Sequence, residues 1–208
     1  MARKRLRTTE YATRNTSSMI LEIVKYGHPV LRERGARVKE ISAEVRRLIA
    51  DMFETMYESK GIGLAAQQIG VASQLTVIDV RGIADRPSTL EIGGKLADLE
   101  SIMPLVLINP KITPLGEPAT GPEGCLSFPE IFADITRAEK VDVKALDAKG
   151  DPISFRAGGL LARAIQHEVD HLNGVLFIDR MSSKDKTELR AEIDDLHTAT
   201  KKSLAKKK

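Results

Sequence analysis

The sequence predicts one main domain that mixes helices with strands, and three observations support this. At 208 residues the chain sits near the upper edge of a single ordinary domain and is too short for two large ones. Apolar residues recur every three or four positions from Val45 to Met56, the spacing of one helix face. Val141, Val143 and Ala145 alternate with Asp142 and Lys144, the spacing of a half-buried strand. Hydrophobic residues at 42% supply a core, and charged residues at 29% are ordinary for a globular protein, so wholesale disorder is excluded.

In chain order, residues 1–18 are rich in Arg, Thr and Ser with little apolar content. They read as a flexible basic leader, with an organellar transit role a minor alternative and a start at Met19 another. Order is expected from Met19 through Ile20, Leu21, Ile23 and Val24. Ser42 should cap a helix whose core face is Val45, Leu48, Ile49, Met52, Phe53 and Met56. Residues 71–80 read as a strand. The Gly- and Pro-bearing stretch 82–104 reads as a long mobile loop, with a short helical piece around Leu96 to Leu99. Strands are expected at 105–108 and 140–147, the second ending in a turn at 149–152. A helix over 159–172 should stop at Asn173-Gly174, and one last helix should start after Ser182 on Leu189, Ile193 and Leu196. The domain is thus expected over 19–200, followed by a lysine tail at 201–208.

Charge is uneven. The leader holds five bases against Glu10 and the tail five lysines, so the net +3 of the chain leaves the body negative. That argues against a DNA-binding groove in the folded part and confines polyanion affinity to the ends. No stretch reaches the roughly 18 uncharged apolar residues of a membrane span, so no membrane partner is expected. With one cysteine, Cys125, no internal disulfide is possible, and the sulfur is either packing or chemistry.

The chemistry starts at Gln166-His167-Glu168-Val169-Asp170-His171, which contains H-E-x-x-H. Helical residues four apart lie about 40° apart in projection, so both imidazoles can face one ion. At about 100° per residue, Leu161, Ile165, Val169 and Leu172 fall on a separate core face, with Glu168 on the seam. A glutamate beside a bound metal can act as general base. A catalytic ion needs a third ligand. The extended protease pattern would place a histidine where Phe177 stands. Glu192 is one candidate, which would make the chain a zinc endopeptidase using His167, His171 and Glu192. Cys125, within Glu123-Gly124-Cys125-Leu126-Ser127, is the other, since a thiolate binds first-row divalent cations strongly. In Gly61-Ile62-Gly63-Leu64-Ala65-Ala66-Gln67-Gln68, two glycines admit close approach of a substrate backbone, and a carboxamide can donate to a developing oxyanion. His28 and His197 read as turn or surface residues.

Together these three segments resemble the peptide deformylase family, whose motifs are G-φ-G-φ-A-A-x-Q, E-G-C-L-S and Q-H-E-x-D-H, here present in that order. The likeness extends through Tyr26 to Arg32, Ile108-Asn109-Pro110 and His171 to Phe177, covering about 20–180. It implies an α+β fold in which antiparallel β-sheets surround a central helix carrying H-E-x-x-H, with an N-terminal and a C-terminal helix. It also implies hydrolytic removal of the formyl group from formyl-Met nascent peptides. On this resemblance Cys125, His167 and His171 hold one divalent metal, with Fe2+ the native ion and Zn2+, Ni2+ or Co2+ accommodated by the same donors. Water activated by that ion attacks the formyl carbon, Glu168 serves as base and then acid, and Gln68 with the Leu126 N–H steadies the oxyanion. The methionine pocket would involve Ile62, Leu160, Ala164 and Arg163, the last with its head toward solvent or Asp170. Gly63 and Gly124 would pair with the substrate main chain as an added strand. The expected location is the bacterial cytoplasm. The lysine tail suggests weak association with ribosomal phosphates, and an RNA-associating factor with a structural metal is a different class of reading.

Overall fold

The computed structural model describes residues 19–206; the leader 1–18 and the last two lysines lie outside the described residues. Helix α1 (Ala43–Glu58) starts where Ser42 accepts a hydrogen bond from the Val45 N–H, and it buries Ile49, Met52 and Met56. The strands are β1 (Gly63–Ala65), β2 (Leu75–Ile78), β3 (Ser88–Ile92), β4 (Lys95–Leu96), β5 (Leu105–Cys125), β6 (Phe128–Leu146) and β7 (Pro152–Gly158). They form one seven-stranded sheet in the order β1-β2-β5-β6-β7-β3-β4, and every pairing in it is antiparallel.

Helix α2 (Gly159–Leu172) follows β7 directly and packs into the curve of this sheet. Its apolar face falls where the periodicity put it: Leu161, Ile165 and Leu172 are fully buried, the first two in a cluster with Leu107, Val141, Val143 and Phe155. Gly174, at φ 73°, ends the helix; a β-carbon there would lie 2.5 Å from the Arg32 carbonyl oxygen, so only glycine fits this left-handed turn. Two short helices, α3 (Phe177–Arg180) and α4 (Ser183–Glu188), lead into the 17-residue α5 (Arg190–Lys206).

Four sequence expectations are corrected. The segment 82–104 is not one long loop, because Gly93 and Gly94, both at positive φ, make the two-residue turn of the β3–β4 hairpin. Through β3 that hairpin joins β7, with Leu90 opposite Ala157 and almost fully buried. Its short helical turn lies at Leu99–Ser101, and Leu96 belongs to β4. The expected strands 105–108 and 140–147 are ends of β5 and β6, which run 21 and 19 residues. Pro118 and Pro122 pair with Ala138 and Asp134, and Ala138 turns its N–H and C=O to Gln166 rather than to β5, so the N–H groups these prolines lack would face an edge that no strand of the sheet occupies. The strand expected at 71–80 contracts to Leu75–Ile78. Finally, the single C-terminal helix is two, broken at Leu189, and α5 continues through Lys201 and Lys202, so the fold does not stop at residue 200.

Candidate metal and catalytic site

Strand β5 ends at Cys125, and Leu126-Ser127 turn the chain straight into β6, with Cys125 paired to Phe128. Phe128 is buried against Tyr26 (ring centroids 4.8 Å) and Phe177 (5.1 Å), which anchors the turn. This holds the thiol over α2. Cys125 Sγ lies 3.3 Å from His171 Nε2. The ligand atoms of Cys125, His167 and His171 all fall within 4.8 Å of one another, and this is the one such group of histidine, cysteine or acidic side chains among the described residues.

His167 is oriented from behind. Glu123 Oε2 lies 2.9 Å from its Nδ1, which leaves Nε2 to face the thiol side. Glu123 Oε1 accepts from Arg137 Nε at 2.6 Å and from Arg163 Nη1 at 2.8 Å. Burial would raise the Glu123 pKa, but hydrogen bonds from His167 and Arg137 outweigh it and hold the carboxyl at about 2. Arg137 also donates to Asp170 at 2.7 Å, and Asp170 receives Arg180 at 2.5 and 2.6 Å. Glu123, Arg137 and Asp170 are the functional neighbours that sequence reasoning did not assign. Arg137 left a signal, since it shares the inward register of β6 with Ile135, Val141 and Val143, where a charge needs a buried partner.

Glu168 is 4% exposed, and its carboxylate presses on the backbone of Gly63: a β-carbon on Gly63 would lie 2.3 Å from Glu168 Oε1. Its Oε2 is buried with no hydrogen-bond partner among the described residues, an arrangement costly for a carboxylate and suited to a neighbouring cation and water. Burial pushes Glu168 up to about 7, the range in which a carboxyl both takes and releases protons near neutrality. Soft sulfur, two imidazoles and this orphaned oxygen together fit a first-row divalent ion. Gln68 completes the cluster. Its Oε1 accepts from the Ala65 N–H at 2.8 Å, which turns Nε2 toward Cys125 Sγ at 3.5 Å.

The expected residues converge. Ile62, Gly63, Gly124, Leu160, Arg163 and Ala164 line one cavity of about 640 Å³ with Gln68, Cys125, Leu126, His167 and Glu168. Arg163 is the exception in detail. Its head does not bind Asp170; partly exposed, it binds Glu123 and the carbonyls of Ile135 (2.7 Å) and Ala119 (2.7 Å), because the paired β5–β6 main chain offers acceptors closer than the acid about two turns away. Glu192 is exposed on α5, outside this cluster, which disfavours the endopeptidase alternative. His28 caps the short turn Pro29–Arg32 and His197 packs on Tyr26, as turn and surface residues.

Comparison with known proteins bears on this arrangement. A family model described as polypeptide deformylase matches residues 20–187. A peptide deformylase of Methylacidiphilum infernorum is 47% identical over 178 residues, covering 86% of this chain and 93% of the relative. One from Opitutus terrae is 45% identical over 185 residues, covering 88% and 96%. Among solved structures, the peptide deformylase of Thermotoga maritima superposes with a TM-score of 0.67 at 38% identity, over 78% of this chain and 98% of that one. The enzyme from Synechococcus elongatus, solved in complex with actinonin, gives 0.70 at 41% identity, over 87% and 88%.

Proposed function

The chain belongs to the polypeptide deformylase family, metal-dependent hydrolases that deformylate nascent peptides, and we propose which of its residues perform each part of that reaction. Cys125, His167 and His171 hold the ion, which we assign as ferrous iron in the cell, with zinc, nickel or cobalt acceptable to the same donors. When bound, such an ion supplies Lewis-acid chemistry, acidifying water and polarising a carbonyl.

The protein's own groups do the rest. Glu168, held against Gly63, takes the proton of the attacking water and delivers it to the departing amine nitrogen. Gln68 Nε2, aimed by the Ala65 contact, donates to the formyl oxygen as charge develops there, with the Leu126 N–H as second donor. Ile62, Leu160 and Ala164 receive the methionine side chain, while Gly63 and Gly124 offer main-chain groups to the extended substrate. The observation that carries this reading is the convergence of Cys125 with the two histidines beside a buried carboxylate, one oxygen of which has no hydrogen-bond partner among the described residues.

The test is formate release from a formyl-Met peptide by anaerobically prepared enzyme. Glu168→Gln should retain the metal and lose nearly all turnover, whereas Cys125→Ser should lose the metal. Full activity in either variant would refute the assignment. Lys201 and Lys202 stand on exposed positions of α5, and with the lysines that follow they support weak, salt-sensitive ribosome association. Ribosome sedimentation unchanged by deleting 201–208 would count against it. A lone free cysteine serving as ligand suits a reducing compartment, which supports a cytoplasmic location; no helix among the described residues is long and apolar enough to cross a membrane.

A further inference from the structure

The segment 82–87 carries one side chain into the substrate cavity. Arg86 is half-buried, lines that cavity, and donates from Nη2 to the carbonyl of Pro122 at 3.3 Å. Pro122 is two residues before Gly124 on β5, so both carbonyls point to the same edge of the strand. Along this stretch β5 pairs only with β6, which leaves the other edge to an incoming peptide. Arg86 therefore occupies the next acceptor of the docking edge. Main-chain pairing to β5 must end there, and what the peptide meets beyond Gly124 is a guanidinium.

No acid balances the Arg86 guanidinium. Its partner is a neutral carbonyl, and Arg86 forms no ion pair among the described residues. Lys60, exposed on the same cavity just after α1, forms none either. Of the other cations of the cavity, Arg163 is paired with Glu123, while Lys25 Nζ, like Arg86, donates to a neutral carbonyl, that of Leu126 at 2.8 Å. Against these three cations, none in an ion pair among the described residues, the rim sets one exposed acid, Glu130. The outer cavity is thus net positive in a body whose overall charge is negative.

Resting on the deformylase reading, we propose that Arg86, assisted by Lys60, is a specificity-determining residue that favours substrates with an acidic side chain or chain-terminal carboxylate within the few residues after formyl-methionine. Each contact is a partly solvated ion pair, so the preference is modest, about two- to fivefold, and weakens with salt.

The test compares kcat/KM for formyl-Met-Ala-Ala amide with amides in which Asp or Lys stands at the second, third or fourth position, at low and high ionic strength. The expected result is an Asp-over-Lys ratio of about two to five at one or two adjacent positions, expressed in KM and reduced by salt. Arg86→Ala should bring that ratio toward one, and Arg86→Lys should retain much of it. A ratio near one at every position in the unaltered enzyme, or one that survives Arg86→Ala intact, would overturn the proposal. If no formylated peptide turns over, including the uncharged one, the deformylase reading fails and this inference goes with it.

Discussion

Glu123 lies with one carboxylate oxygen 2.9 Å from His167 Nδ1 and the other 2.6 Å from Arg137 Nε, joining a metal-ligand candidate to a buried cation. A ligating imidazole is fixed in tautomer and direction by the partner of its second nitrogen, and loss of such a partner typically weakens metal binding about 10- to 100-fold. Glu123→Gln keeps the shape and removes the charge, so it should bind the ion about tenfold less tightly while remaining folded. Glu123→Ala should destabilise the protein by about 3–5 kcal/mol, since Arg137 would stay buried with half its partners gone. Metal competition against a chelating dye and chemical denaturation read the two effects separately. Wild-type metal affinity in Glu123→Gln would remove the orienting role.

Gly63 and Glu168 make a second linked pair. A methyl group on Gly63 would lie 2.3 Å from Oε1, so Gly63→Ala must displace the carboxylate rather than brush it. A displacement near 1 Å at a reacting group costs on the order of 100-fold in rate. The expected outcome is kcat lowered by about that factor with metal content unchanged. Unaltered kcat would show that Glu168 does not need its position against the β1 backbone.

Away from the cavity, Asp79 offers a pH handle. It is buried and accepts from Arg81 Nη2 at 2.6 Å and from the Tyr57 hydroxyl at 2.7 Å. Burial opposes its ionisation, yet the Arg81 and Tyr57 hydrogen bonds prevail and hold the pKa below the ordinary aspartate value. A carboxyl depressed in the folded state contributes its stability above the unfolded pKa, near 3.9, and loses it as pH falls through the folded value. The stability gap between the wild type and Asp79→Asn should therefore be full above about pH 5 and close in more acidic solution. Denaturation midpoints across pH 3–7 measure it, and a gap constant over that range would contradict the assignment.

How much was legible in the sequence depended on the range of the signal. Helix α2 was readable throughout: its periodicity separated Leu161, Ile165 and Leu172 from His167 and His171, and Asn173-Gly174 marked its end. The third ligand was not readable from spacing, since Cys125 and His171 stand 46 residues apart and meet only in the folded chain; chemistry and resemblance supplied it. Local punctuation misled where tertiary context overrode it. The glycines of 82–104 read as part of a loose loop, but Gly93 and Gly94 are the tight turn that joins β3 to β4. The carboxylate network was hidden for the same reason as Cys125: Glu123 meets His167 across 44 residues, and no period within either segment records the contact.

The β3–β4 hairpin supplies the last prediction, because the sequence and the structure give it opposite mechanical characters. As a loose loop, 82–104 would tolerate most substitutions within about 0.5 kcal/mol. As an added pair of strands it is tied down by Leu90, which is 2% exposed and packs in the cluster containing Phe155, Ala157 and Leu160. Truncating a leucine so enclosed removes its transfer free energy and leaves a cavity that the sheet cannot collapse around, so Leu90→Ala should cost about 2–5 kcal/mol. Exposed Leu96, on the outer strand β4, is the control and should cost little when changed to Ala. The hairpin also leads out of the segment bearing Arg86, so loosening it should blunt any charge preference among formyl-Met peptides. Urea denaturation of the two variants decides the matter: equal and small effects would mean that the hairpin is not part of the cooperative fold.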